Sequence, residues 1–151
     1  MAFPTSVNGQ ITDSVSQVAV WLPITTLYAS LCALILIWLT YKAGSMRGRK
    51  KISLGDNNDP EMLEAIRGHG NAVENIPIAL ILIGLMELHG ANGTFLHVLG
   101  VLLVVSRIAH PLGLKADNIG HPMRAIGAGG TLLVIVIAAV YSLWQLIKTS
   151  L

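Results

Sequence analysis

Residues 60–89, PEMLEAIRGHGNAVENIPIALILIGLMELH, decide how many times this chain crosses a membrane. The second half, Ile76 to Met86, is strongly apolar but short, whereas the first half carries Glu61, Glu64, Arg67, Asn71 and Glu74. A spanning helix needs about 20 mostly apolar residues, so the stretch spans only if both halves form one helix. The start of that helix is well marked. Asp59 is a capping residue, Pro60 suits the first helical position, and Glu61 and Glu64 sit near the positive end of the helix. On such a helix Arg67, Asn71, Glu74 and Ile78 follow the i, i+4, i+7, i+11 pattern and share one face. The polar residues therefore form a stripe offering a cation, an amide and a carboxylate. His69 and Gly70 point elsewhere on the same turn, towards a neighbouring helix or subunit.

Around this stretch lie three runs with no Asp, Glu, Lys or Arg: Ser14 to Tyr41, Leu88 to Ser106, and Ala125 to Ile147. Each is long enough to cross a bilayer. With the helix from Pro60, they predict spans at about 18–41, 60–89, 93–115 and 122–147, in a single domain covering residues 1–151. Composition agrees. Of 151 residues, 53% are hydrophobic and 12% charged, against about 25% charged in soluble domains. So apolar a chain is not disordered. The single cysteine, Cys32, excludes a disulfide scaffold and a cysteine-built zinc site, and no metal is expected. A net charge of +2 is poor footing for nucleic acid. The fold class is all-α: a polytopic membrane protein built as a four-helix bundle.

The basic residues set an orientation. Lys42, Arg47, Arg49, Lys50 and Lys51 fall in the first loop, read as Lys42 to Asn58, and Lys115 falls in the third, Lys115 to Pro122. The second loop, marked by the turn Gly90-Ala91-Asn92-Gly93, has none. The positive-inside rule then puts loops one and three in the cytoplasm and both termini outside, with Trp21 and Trp144 near the outer interface. The first 13 residues are polar and expected to be loosely held, and they lack the positive n-region of a cleaved signal peptide.

Charged groups at the bilayer centre cost about 2.5–3.5 kcal/mol each on insertion scales. Arg67, Glu74, Glu87, Arg107 and Arg124 all lie in or near spans. Arg107 and His110 are one turn apart near the cytoplasmic end of the third helix. Arg124 follows His121-Pro122 at the start of the fourth, where the macrodipole is already positive. A cation there is unfavourable unless an anion visits, and backbone donors beside a guanidinium suit an anion or thiolate. With the stripe on the second helix, these groups gather at one depth and predict a shared polar pocket. Other features read more simply. Glu87 is expected to snorkel to the interface, His89 and His97 to be interfacial, and Cys32 to be inert. Gly127, Gly129 and Gly130 are expected to permit close helix packing.

The run Arg67-Gly-His69-Gly-Asn71-Ala-Val-Glu74-Asn-Ile-Pro77 resembles the second-helix signature of the membrane-associated proteins of eicosanoid and glutathione metabolism, the MAPEG family. Arg107-Ile-Ala-His110 and Arg124 resemble that family in order and spacing, and the likeness covers nearly the whole chain. It implies a homotrimer of four-helix subunits in the lipid bilayer, with glutathione as co-substrate held between neighbouring subunits. By this resemblance Arg67, Asn71 and Glu74 would hold its charged ends and peptide groups, aided by Arg107 and His110. Arg47 and His69 would reach the same site from the adjacent subunit. Arg124 matches the arginine that stabilises the glutathione thiolate and is the expected catalytic residue. The second substrate would be an apolar electrophile entering from the lipid, or a lipid hydroperoxide.

The chain also departs from the family. The eicosanoid synthases carry tyrosines where this chain has Leu114 and the Ala128-Gly129 pair, and Ala125 follows Arg124 where one branch has a serine. These departures favour a generalist bacterial transferase of the inner membrane, active in detoxification, over a dedicated eicosanoid synthase. The nearest alternative is a non-enzymatic lipid-binding protein of the same fold. A small multidrug transporter fits less well, because the first span has no acid and the first loop is long.

Overall fold

Pro23 and Pro60 open the first two helices, at positions where a missing N–H leaves no helical bond unmade. In the computed structural model, which describes residues 21–150, four helices follow one another: α1 (Pro23–Lys50), α2 (Pro60–Leu88), α3 (Gly93–Gly113) and α4 (Pro122–Ser150). There is no strand among the described residues. All four helices are long and apolar enough to cross a membrane, and the chain is a multi-pass, all-α membrane protein. The expectations about the first 13 residues, and a first span beginning near residue 18, lie outside the described residues.

The start of α2 follows from its sequence. Asp59 accepts the Met62 N–H at 2.8 Å, and Pro60 takes the first helical position. The helix then runs unbroken through Pro77 to Leu88. Asn92 caps α3 in the same way, accepting the Phe95 N–H at 3.1 Å, and Gly90 takes the left-handed conformation that the turn before it requires (φ 71°).

The first loop is shorter than the charge pattern predicts, because α1 continues past Tyr41 to Lys50. Lysine and arginine are good helix formers. Arg47, Arg49 and Lys50 also sit in the last turn, where cations meet the negative end of the helix. The helix stops at Lys51, which is left-handed (φ 55°), and the Ile52 N–H returns to the Arg47 carbonyl at 3.1 Å. At about 1.5 Å per residue its length is ~42 Å, more than the ~30 Å hydrocarbon core of a bilayer. The overhang has its own small core of Met46, Ile52, Met62 and Ala65. Lys50 Nζ clamps it to the start of α2, 2.6 Å from Asp59 and 2.8 Å from Glu61. That ammonium, with the Met62 N–H, holds the Asp59 carboxyl below the ordinary carboxylate range.

At the opposite end Glu87 does not snorkel freely. Its carboxylate accepts the Ile24 N–H at 2.9 Å, the Thr25 N–H at 2.7 Å and the Thr25 hydroxyl at 2.6 Å. Leu22 precedes α1 and has no side-chain acceptor to cap it, so α2 supplies the cap across the bundle.

Helices α2 and α3 each pack against the other three, while the backbones of α1 and α4 do not approach closely among the described residues. On α2 the core positions Ala72, Ile76, Ala79, Ile83 and Met86 repeat at helical spacing. This core line runs one residue beside the line of Arg67, Asn71 and Glu74, so the polar stripe flanks the core. Helices α3 and α4 make the closest pair. A methyl group at Gly113 would collide with the Arg124 backbone, one at Gly127 with His110, and one at Gly130 with Ser106. Gly129 meets nothing within 4 Å among the described residues and plays no part in the packing of α3 on α4. Gly100, which the glycine pattern did not single out, lies against the Tyr28 ring of α1.

Candidate functional site

At the end of the bundle where loops one and three lie, three helices line a partly open cavity of about 250 Å³. Helix α2 contributes Leu63, Glu64, Arg67 and Asn71, α3 contributes His110, and α4 contributes Arg124 from its first turn. Loop three, between α3 and α4, closes one side with Leu114, Lys115 and Ala116. Close packing of α3 on α4 at Gly113 and Gly127 brings Arg124 beside His110.

Four of the residues singled out from sequence therefore line one cavity: Arg67, Asn71, His110 and Arg124. Arg107 lies behind it. Only 1% of its surface is exposed; Nη1 donates to Asn71 Oδ1 and Nη2 to the Gly127 carbonyl, both at 2.8 Å. A guanidinium can only donate, so the Asn71 amide is fixed with its oxygen towards Arg107, and its NH2 has no partner among the described residues. Three further candidates do not line the cavity within one chain. Glu74 is exposed on α2, one turn beyond Asn71. His69 Nε2 lies 3.1 Å from the Thr40 hydroxyl of α1, and Arg47 Nη1 donates to the Gly55 carbonyl at 3.0 Å.

Glu64 and Lys115 also belong to the lining, though the sequence reading did not place them there. Glu64 accepts the Ala116 N–H at 2.9 Å and lies 3.3 Å from Lys115 Nζ. The signal for Glu64 was its position one turn before Arg67 on the same face; Lys115 carried no such signal.

The electrostatics favour an anion. Arg67, Lys115 and Arg124 face the cavity against the single carboxylate of Glu64, and the first turn of α4 has no acid. The backbone donors expected at the start of α4 add little, because Pro122 has no N–H and the Arg124 and Ala125 N–H groups donate to the His121 carbonyl at 3.0 and 3.3 Å. His110 is buried, and its Nδ1 has no hydrogen-bond partner among the described residues. Among the described residues no group of three His, Cys, Asp or Glu side chains lies close enough to hold a metal. The lining contains no side-chain hydroxyl. Cations and an amide are thus the groups available to steady a charged ligand.

A model of the MAPEG family matches residues 25–144, from the first turn of α1 to the last part of α4. The inner membrane protein YecN of Escherichia coli (strain K12) is 32% identical over 126 residues, covering 82% of this chain and 92% of that protein. The protein of the same name from Escherichia coli O6:H1 (strain CFT073) matches to the same extent. With four spanning helices and a match through all of them, the chain belongs to the MAPEG family.

Proposed function

We propose that this chain is a glutathione-dependent membrane transferase, working as a homotrimer in a bacterial inner membrane with loops one and three in the cytoplasm. The observation that carries this reading is the convergence of Arg67, Asn71, His110 and Arg124 from three helices on one cation-rich cavity. Glutathione carries two carboxylates and a thiol, and Arg67 with the free NH2 of Asn71 suits its charged and peptide groups. Arg124 takes the thiol. A free thiol has a pKa near 8.5 and is mostly protonated at neutral pH, and an adjacent cation favours the nucleophilic thiolate. The sulfur then attacks an apolar electrophile arriving from the lipid, and the leaving group departs with the electron pair. The same thiolate would reduce a lipid hydroperoxide at the expense of a second glutathione.

Assembly is supported by charges left bare on one chain. Arg67 and Glu74 are exposed on a spanning helix, and neither has an ion-pair partner among the described residues. Exposed to lipid, they would be costly; a neighbouring copy covers them, and its Arg47 and His69 complete the site. The inner-membrane placement rests on the YecN likeness, and the orientation on the basic residues of loop one. One observation favours a second reading, a lipid-binding protein without chemistry: the lining has no hydroxyl to assist a thiolate.

The deciding experiment titrates glutathione into the purified protein in mild detergent and follows the ultraviolet thiolate band, comparing wild type with Arg124→Ala. The band is expected on wild type and lost in the variant, with kcat/KM falling about 10²–10³-fold, as for removal of one preorganised anion-stabilising group. No band on folded wild-type protein would move the reading to lipid binding. A band that survives in the variant would remove Arg124 from its role.

A further inference from the structure

Among the described residues, Glu64 is the one side chain outside loop three that hydrogen-bonds to it. Its two bonds differ in kind. The Ala116 N–H bond, at 2.9 Å, ties the loop backbone to α2. The Lys115 contact is long, at 3.3 Å, and Lys115 is 52% exposed while Glu64 is 19% exposed. Such a pair is held weakly. Lys115 is a compact charge on a flexible stem, and it lines the cavity together with Arg67 and Arg124. An anion in the cavity therefore competes with Glu64 for the same ammonium group.

We propose that Lys115 binds a carboxylate of the ligand and that Glu64 is its resting partner: on binding, Lys115 exchanges the Glu64 carboxylate for that of the ligand. Glu64 meanwhile keeps the Ala116 N–H and so holds loop three against the cavity. Glu64 is thus a positioning residue that also restrains affinity, because it holds Lys115 back and repels an incoming carboxylate. The ligand class is a thiol peptide with a carboxylate remote from its sulfur, so the proposal rests on the glutathione reading of the same cavity.

The test measures KM and kcat for glutathione and for its two monoesters, each with a different carboxylate masked. Lys115→Ala is expected to raise KM for glutathione about threefold, the scale of an exposed ion pair, and Lys115→Arg to restore it. For one monoester the Lys115→Ala penalty disappears. Glu64→Gln keeps an acceptor for the Ala116 N–H and removes the competing charge, so KM falls about threefold, the change lying in KM rather than kcat. A purely structural role for Glu64 would not tighten binding. An unchanged or raised KM in Glu64→Gln, or a Lys115→Ala penalty equal for glutathione and both monoesters, overturns the proposal. Should Glu64→Gln fail to fold, the monoester comparison on Lys115→Ala decides alone. Wild-type protein that binds no glutathione overturns this proposal together with the functional reading, whereas binding by wild type with indifferent variants overturns this proposal only.

Discussion

A guanidinium inside a spanning helix needs acceptors, and Arg107 finds neutral ones. Its partners are an amide oxygen and a backbone carbonyl, and its Nε has none among the described residues. Gly127 O also accepts the Thr131 hydroxyl at 2.9 Å, so one carbonyl serves two side-chain donors. The consequence for the cavity is directional: Asn71 can present only its NH2 to a ligand. Two substitutions separate support from binding. Arg107→Met leaves the Asn71 oxygen without its donor, at a cost of about 1–3 kcal/mol, while the Gly127 carbonyl keeps the Thr131 hydroxyl, and Tm should fall. Asn71→Asp still accepts from Arg107, so Tm should hold, but it replaces the free NH2 with a repelling oxygen. Glutathione affinity should then drop at least tenfold, on the scale of a hydrogen bond to a charged group, about 1.5–3 kcal/mol. Thermal melting and a binding titration on both variants check this. Equal losses of Tm in the two would show that Asn71 is a packing residue and not a ligand donor.

At the scale of elements, the helix starts were legible wherever the capping group lies beside the helix in sequence. Asp59-Pro60 marked α2, and Asn92 sits where the second-loop turn was read. The cap of α1 was not legible, because Glu87 lies 62 residues from Thr25 and only the packing of α1 on α2 brings them together. The end of α1 was misread for a different physical reason: the last apolar residue marks where the membrane ends, and a helix rich in lysine and arginine continues into water. The cross-bundle cap carries a prediction. Glu87→Ala leaves two backbone donors of α1 and the Thr25 hydroxyl without their acceptor, and should destabilise the protein by about 0.5–2 kcal/mol, the usual range for loss of a cap. Glu87→Gln, which still has an acceptor oxygen, should recover part of this. Melting curves in one detergent measure both. If Glu87→Ala melts with wild type, the three bonds contribute nothing net and α1 is held by its apolar face alone.

Over the whole molecule, the cavity is assembled from three helices and a loop, and its legibility followed that division. Arg67 and Asn71 could be paired by helical spacing, while His110 and Arg124 could be placed at the same depth because charges in spans are few. The Glu64–Lys115 contact joins α2 to loop three and follows from how the loop lies on the bundle, which spacing does not encode. What one chain leaves uncovered argues for more than one. Glu74 lies near the middle of α2, where its apolar half begins, and in the single chain it is exposed. In lipid a lone carboxylate at that depth would cost on the order of 2.5–3.5 kcal/mol, so a polar surface from a second copy is the economical cover. On the proposed function the 16.1 kDa chain should run as a trimer by light scattering in mild detergent, and Glu74→Leu should separate two roles for the carboxylate. A trimer that persists but binds glutathione at least tenfold more weakly, by the same hydrogen-bond scale, places Glu74 in the site. Dissociation places it in the contact between copies. A wild-type protein that is a monodisperse, folded monomer with full glutathione binding would show that one chain carries the whole site, and that Arg47, His69 and Glu74 take no part in it.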